Sequence, residues 1–593
     1  MNHRGVISLV LVWDCFALQH QCLAFSFSTP SAAVGREKDS IQRMRTRQWQ
    51  DSGFPSLKES WTAATPRGHG VDELWAHDVD VGVRPAQQQE EDFRWTRQWY
   101  PVAVMRDLEA RDPRQPYGVQ LLGEALVVWK DPVDGGWKAF ADRCPHRWAP
   151  LSEGRVNQQS GRLHCIYHGW EFDGDGKCGS IPQASPESRA VAQTSNRACA
   201  TVMPTKVLEG KLWVWPDSSQ EGVKESEYVE PCIVRGLDMD SGEYGGQWYA
   251  RDLPYGADTL VENLIDPAHV PFAHHGVLSA RFLGGPLPME LDEEAGSGQD
   301  EFLTKGTGYY GTNNLRVGFR APCLVYYEND YTKMVDSRDK LDALAKRILP
   351  PGVHILYRVM KMLGIDKISK IKSQKENGGM QDDTLLLYVI AYAVPTSPGK
   401  CRVFTRTARN FFLPHQLLPK GFGNRTAKEH LKQHDVFDGD SHLLHVQERS
   451  LADAGELGLE RAGQVYYLPT SSDGFVRRFR KWYNSRGGGG PPWVQGADPS
   501  DLGPVLPREK TLDRMAHTND CVACGKAFRV SRAVKRISAG GTLLLLGAAT
   551  AVPRGLLPLG LASGALASAG LSVAMSRRQQ RFVFVDYVHA DRD

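Results

Sequence analysis

Two short segments constrain this chain more than any others: R-C-P-H-R-W-A-P-L from Arg143 and L-H-C-I-Y-H-G-W from Leu163. Each carries one Cys and one His, Cys144 with His146 and Cys165 with His168. A structural zinc site of two Cys and two His usually groups the cysteines together and the histidines together, and that is not the order here. Two facing loops that each supply one thiolate and one imidazole suit a [2Fe-2S] cluster, with both thiolates on one iron and both imidazoles on the other. Imidazole ligation raises the reduction potential, so such a cluster can take an electron from a low-potential donor and hand it on. His164 neighbours Cys165 but falls outside the spacing and reads as structural.

Loops of this kind need strands to hold them. From Phe93 the sequence runs in short stretches rich in Trp, Tyr and Val, such as A-L-V-V-W-K-D-P-V-D-G-G-W-K-A-F, with turn residues between them, which predicts antiparallel strands. The pattern ends near Trp215-Pro216, and the polar stretch Asp217 to Glu227 reads as a linker. A second strand-rich region extends from about Gly245 to Tyr483. It is interrupted from Ser337 to Lys375 by helical spacing with an excess of Lys and Arg, a pattern suited to an amphipathic helix lying on anionic lipid or docking a partner. The run R-G-G-G-G-P-P-W from Arg486 to Trp493 breaks regular structure. At 593 residues, 41% hydrophobic and 24% charged, the chain has material for two or more cores. A net charge of +2 supplies no field to draw nucleic acid, so no nucleic-acid partner is expected.

The two ends read differently. Residues 1–91 begin with a short basic stretch and an apolar run from Val6 to Leu18, then small residues near Ala24 and a Ser-rich segment bearing Arg43, Arg45 and Arg47. A signal peptide joined to a transit-like stretch in this way resembles the bipartite leader of algae with complex plastids. Near the C-terminus, Ile537 to Pro553 and Gly555 to Ser576 are uncharged runs of 17 and 22 residues. Lys535 and Arg536 precede the pair, and Arg577, Arg578 and Arg581 come after it, so a transmembrane hairpin over 536–577 with both tails on one side is expected.

A second constellation lies at Glu262 to Gly276, E-N-L-I-D-P-A-H-V-P-F-A-H-H-G. Five residues turn a helix by about 500°, so His269 and His274 share a face only if the helix is distorted, and Pro271 can distort it. With C-P-H, C-x-x-H and Gly169-Trp170 upstream, the chain resembles the Rieske oxygenases. In that family two histidines and a later carboxylate hold ferrous iron as a facial triad with positions open for dioxygen. The resemblance implies His269 and His274 as iron ligands with Asp440, in F-D-G-D-S-H-L-L-H-V-Q-E, as the third, opening a helix whose later turn carries Gln447 and Glu448; Asp438 is the alternative. It also implies that Asp266 is not a ligand. It would instead carry electrons as the catalytic link between the cluster histidine His168 of one subunit and the iron histidine His269 of its neighbour. Asn263 is a candidate partner to this set, and His275 is read as supporting or surface.

The resemblance narrows further. R-D-L-P-Y-G-A-D-T-L-V-E-N-L-I-D-P-A-H-V-P-F-A-H-H from Arg251, H-T-N-D-C-V-A-C from His517, the apolar hairpin and the ending F-V-F-V-D-Y-V-H-A-D resemble the pheophorbide a oxygenase family of plastids, which includes translocon-associated Rieske proteins. The resemblance implies an α+β fold: an all-β Rieske domain over 92–217, a helix-grip antiparallel-sheet catalytic domain over 240–485, a linker over 486–535, the membrane hairpin and a tail over 578–593. The implied enzyme is a monooxygenase with one [2Fe-2S] cluster and one mononuclear Fe(II) per subunit. It would be a homotrimer taking electrons from ferredoxin to oxygenate a chlorophyll-derived tetrapyrrole with O2, anchored at the plastid inner envelope or thylakoid. The alternative is a membrane-tethered redox component of a plastid import assembly. Cys521 and Cys524 have no other Cys/His pair near them in sequence, which disfavours zinc, and the resemblance implies a redox switch answering to thioredoxin.

Overall fold

The computed structural model describes residues 92–593 apart from 242, 293–297, 308–313, 332–383, 412–424, 455–465, 494–501, 554 and 593. The leader-like stretch 1–91 and the basic insertion at 337–375 lie outside the described residues.

Three small antiparallel sheets come first. One has the strand order Tyr100–Val104, Lys211–Val214, Thr205–Leu208; a second, Tyr117–Leu121, Glu124–Lys130, Trp137–Ala141, Val202–Met203; a third, Arg155–Asn157, Arg162–His164, Glu171–Phe172, Cys178–Ser180. Side chains alternate across a strand, and in Glu124–Lys130 both faces are put to use. Leu126 and Val128 enter one core with Tyr100 and Trp213, while Val127 and Trp129 enter another with Phe140, Leu163 and the two cysteines Cys144 and Cys165.

The second part is a seven-stranded antiparallel sheet in the order Tyr249–Leu253, Lys400–Arg409, Leu386–Ser397, Leu324–Asp330, Asn314–Arg320, Glu301–Thr307, Met289–Leu291. One face, through Tyr392, Val394 and Phe404, joins the core built by Trp213 and Trp248. The other face, through Val317, Phe319 and Val403, is covered by helices α1 (Ala257–Ile265), α2 (Arg425–Asp453) and α3 (Gly474–Ser485), which contribute Leu260, Ile265, Phe437, Leu444, Phe479 and Trp482. This is the expected α+β arrangement of a sheet closed over helices.

The two parts are continuous. Backbone N–H groups of Leu122 and Gly123 donate to the carbonyls of Pro395 and Thr396, and Trp95 Nε1 donates to the Gly487 carbonyl within the glycine run at 486–493. The stretch Asp217 to Glu227 is not a free linker: Gln220–Ser226 is helical, capped by Ser219, and Arg97 reaches Asp217, Glu221 and Glu225 together. Polar composition alone cannot distinguish a linker from a short helix pinned by one arginine.

At the C-terminus, α4 (Val522–Ala551) and α5 (Leu556–Gln580) pack side by side, with Ser568 Oγ donating to the Ser538 carbonyl at 2.7 Å and Lys535 Nζ to Ser576 Oγ at 3.1 Å. Among the described residues, α5 alone is long and apolar enough to cross a membrane. The first half of α4 carries Lys526, Arg529, Arg532, Lys535 and Arg536, which leaves about 15 apolar residues, roughly 22 Å of helix against a hydrocarbon core of about 30 Å. The hairpin is therefore present as packing, with a single helix of spanning length.

Candidate metal centres

The loops at 144–149 and 165–170 have the same backbone. Cys144 N–H donates to the Ala149 carbonyl and Cys165 N–H to the Trp170 carbonyl, each at 2.8 Å; Trp148 and Gly169 each donate back to the cysteine carbonyl four residues earlier. That turn needs a left-handed residue at the fifth position, supplied by Gly169 (φ 75°) in one loop and by Trp148 (φ 60°) in the other. Both cysteines are buried while His146 is exposed and His168 half-buried. The imidazoles meet at 4.6 Å between ring centres, and Trp170 stacks on His146. Burial, with Cys165 alongside, pushes the Cys144 thiol up to about 12, and burial followed by the His168 neighbour lowers His146. Inner thiolates and outer imidazoles are the donor set of a Rieske [2Fe-2S] cluster. His164 accepts from Arg155 Nε at 3.1 Å and stays outside this set.

The second centre is assembled by a broken helix. After α1, Asp266 leaves helical geometry and its side chain accepts the Ala268 N–H, capping the short 3-10 turn Pro267–His269; a single α turn, Val270–Ala273, comes next. The break thus falls at Asp266-Pro267, ahead of the expected Pro271. The consequence is that His269 Nε2 and His274 Nε2 converge to 3.2 Å. Asp440 Oδ2 lies 3.1 Å from His274 Nε2 and 3.9 Å from His269 Nε2. Three ligand atoms this close, on residues of which two are buried, can hold one iron and leave its remaining positions free. Burial disfavours the Asp440 carboxylate, but His274 and His269 outweigh it and its pKa is lowered. Burial likewise disfavours a charged His269, and Asp266 and Asp440 reverse the effect.

Asp440 does not open a helix: it sits in the interior of α2, which starts at Arg425, so a capping role is excluded. Asp438 is two residues away, about 200° round the helix, and faces the other way. There Arg251 Nη1 and Arg514 Nε each donate to it at 2.7 Å in a fully buried cluster. Glu448, two turns beyond Asp440, accepts the Gly256 N–H at the start of α1. Burial and the nearby Asp258 push Glu448 up to about 7. Gln447 reaches Tyr466, His275 accepts the Arg281 N–H, and the Asn263 carbonyl accepts the Asp266 N–H. Asp266 itself is part-exposed, its Oδ2 3.7 Å from His269 Nδ1, which also faces the Asp266 carbonyl.

Sequence reasoning missed the tail. Tyr587 Oη donates to the Ala273 carbonyl at 2.9 Å, Arg281 donates to the His589 carbonyl, and the Arg514 N–H donates to the Val583 carbonyl. Tyr587 and His589 lie in the ending F-V-F-V-D-Y-V-H-A-D, which held the signal without its purpose. A further group also went unseen: His430 and His517 close on Cys521 and Cys524. His430 lies 91 residues before Cys521, and nothing in the spacing connects them.

The fold and the two centres define a Rieske-type non-heme iron oxygenase. The Rieske [2Fe-2S] domain model matches residues 98–220, and the pheophorbide a oxygenase model matches 319–457. The chain is 34% identical to pheophorbide a oxygenase, chloroplastic, of Oryza sativa subsp. japonica, over 85% of this chain and 86% of that protein. It is 35% identical to the Arabidopsis thaliana protein of the same name over the same shares, and 33% identical to flavonoid 8-hydroxylase 2, chloroplastic, of Ocimum basilicum over 75% of each chain. The chain belongs to the pheophorbide a oxygenase family.

Proposed function

We propose that this protein is a plastid, membrane-associated oxygenase that uses dioxygen and ferredoxin-derived electrons to oxygenate a chlorophyll-derived tetrapyrrole. The observation that carries the substrate class is the extent of the likeness: the two pheophorbide a oxygenases match it over 85% of its length, the basil flavonoid hydroxylase over 75%. When bound, the cluster supplies single electrons and the mononuclear iron supplies open positions for dioxygen.

This chain's residues supply the rest. Cys144 and Cys165 would hold one iron of the cluster, and His146 and His168 the other, at the protein surface where an electron can enter or leave. His269, His274 and Asp440 would hold the mononuclear iron, with Asp266 keeping His269 oriented through its ring nitrogen. The part-exposed Asp266 carboxylate would pass electrons from His168 of a neighbouring copy to His269 in a homotrimer. Exposed leucines on α4 and α5, among them Leu543, Leu544, Leu556 and Leu566, suit lipid contact at an envelope or thylakoid membrane. An intact triad favours an enzyme over a redox component of an import assembly, which needs no iron-binding carboxylate.

The test is to incubate the purified protein with ferredoxin, its reductase, dioxygen and parallel panels of chlorophyll derivatives and flavonoids, and to read mass gains of oxygen. Gain on a tetrapyrrole alone is expected. Gain on flavonoids alone would overturn the substrate class, and gain on neither, with both metals loaded, would leave the import-component reading standing.

A further inference from the structure

Four ligand-type atoms meet where the segment leading into the hairpin packs on α2. His430 Nδ1 and His517 Nε2 are 3.1 Å apart; His517 Nε2 is 3.3 Å from Cys524 Sγ; His430 Nδ1 is 3.4 Å from Cys521 Sγ and 3.6 Å from Cys524 Sγ. All four residues are buried, and the four atoms lie within 4.8 Å of one another. A zinc tetrahedron with Zn–S of about 2.3 Å and Zn–N of about 2.0–2.1 Å has N···N edges near ~3.3 Å and S···N edges near ~3.6 Å. The observed separations are those edges within a few tenths of an ångström. A supporting contact is present as well: His517 Nδ1 faces the Ala250 carbonyl at 2.6 Å, which fixes the proton on Nδ1 and aims the Nε2 lone pair inward.

We propose that His430, His517, Cys521 and Cys524 bind one Zn2+ in a closed, structural site. Metal binding releases the two thiol protons, forms two Zn–S and two Zn–N bonds and needs no oxidant or reductant. This group is not the Rieske ligand set, which lies within the matched residues 98–220. Its atoms close on a single point, as one metal requires, whereas the Cys144 quartet is not among the groups packed within 4.8 Å, as expected when thiolates and imidazoles serve different irons. Four protein ligands leave no open position, so the role is structural. The ion would tie α2, ten residues before Asp440, to the segment that enters the membrane hairpin. Cys521 and Cys524 would then be metal thiolates in place of a thioredoxin-reduced disulfide.

Metal analysis of the full-length protein, purified without an affinity tag and with its iron loaded, should give about one zinc alongside about three irons per chain. X-ray absorption at the zinc edge should show two sulfur and two nitrogen neighbours. The Cys521→Ser, Cys524→Ser double variant should lose at least ~90% of the zinc while keeping iron and the Rieske electron paramagnetic resonance signal. His517→Cys should keep the zinc with three sulfur neighbours. If the double variant fails to fold, the wild-type absorption spectrum decides alone. Zinc below about 0.1 per chain in wild type, with Cys521 and Cys524 joined by a disulfide in the intact mass, would overturn the site, as would zinc retained by the double variant. Loss of iron or of the Rieske signal in wild type would count against the oxygenase reading alone.

Discussion

Asp266 and Glu448 show how a single carboxylate is set to its task by surroundings. Asp266 lies beside His269 and is part-exposed, and we propose that it orients the ring and does not bind the metal. Asp266→Asn is expected to retain the cluster and the mononuclear iron by metal analysis and to lower ferredoxin-driven turnover by about 10–100-fold, the range for orienting partners of metal ligands. Loss of mononuclear iron equal to that of His269→Ala would make Asp266 a ligand after all. Glu448 is raised to about 7 by burial, well above the ordinary glutamate value. A group raised in the fold adds stability that is complete below its unfolded pKa and disappears as pH climbs through the folded one. The protein should therefore lose stability between about pH 4.5 and pH 7 from this residue alone. Glu448→Gln, whose amide oxygen can still accept the Gly256 N–H, should remove that slope and stabilise the protein at pH 8 by about 1–3 kcal/mol. Chemical denaturation of both proteins across this range checks it, and parallel curves would reject it.

Helix α2 is the element that organises the molecule. One face presents Asp440 to the two histidines, another seats Asp438 between Arg251 and Arg514, and an earlier turn carries His430. Cutting one partner from a buried ion cluster strands the remaining charges, at about 3–5 kcal/mol. Asp438→Ala should accordingly lower the melting midpoint sharply, whereas replacing the exposed Glu509 on the short helix Arg508–Thr511 should barely move it. Gly439 serves the same helix by being small. A Cβ there would lie 2.9 Å from His274 Nδ1 and 3.2 Å from the Ala273 carbonyl. Gly439→Ala should displace the ring and weaken iron retention on the order of 10-fold, read by competition with a chelator, with the Rieske signal unchanged.

At the scale of the whole molecule, the C-terminus returns to the iron site after the apolar hairpin. The segment after α5 brings Phe582 and Tyr587 into the protein, with Thr518 donating to the Phe582 carbonyl and Tyr587 to the Ala273 carbonyl. A chain ending at Ala551 should thus lose more than membrane binding. Its Rieske signal should persist, since that domain's core is built from residues before 203, while mononuclear iron and turnover fall even in detergent solution. Full activity of the truncated chain in detergent would show that the tail only anchors. Flotation of each chain with lipid vesicles separates the two effects.

What the sequence determined by itself was local. Cys144, His146, Cys165 and His168 declare a cluster because loop ligands must sit two or three residues apart, whereas His269 and His274, five residues apart beside a proline, became candidates through the resemblance to the Rieske oxygenases. Strand periodicity likewise exposed both β regions. Only the tertiary structure decided what depends on residues far apart: that Asp440 and not Asp438 turns to the histidines, a matter of rotation along one helix, and that His430 meets Cys521 across 91 residues. It also decided that the stretch from Asp217 is a pinned helix and that Tyr587 closes on Ala273. Spacing encodes contacts made within one turn or loop; long-range contacts are set by how cores pack, which no short pattern records.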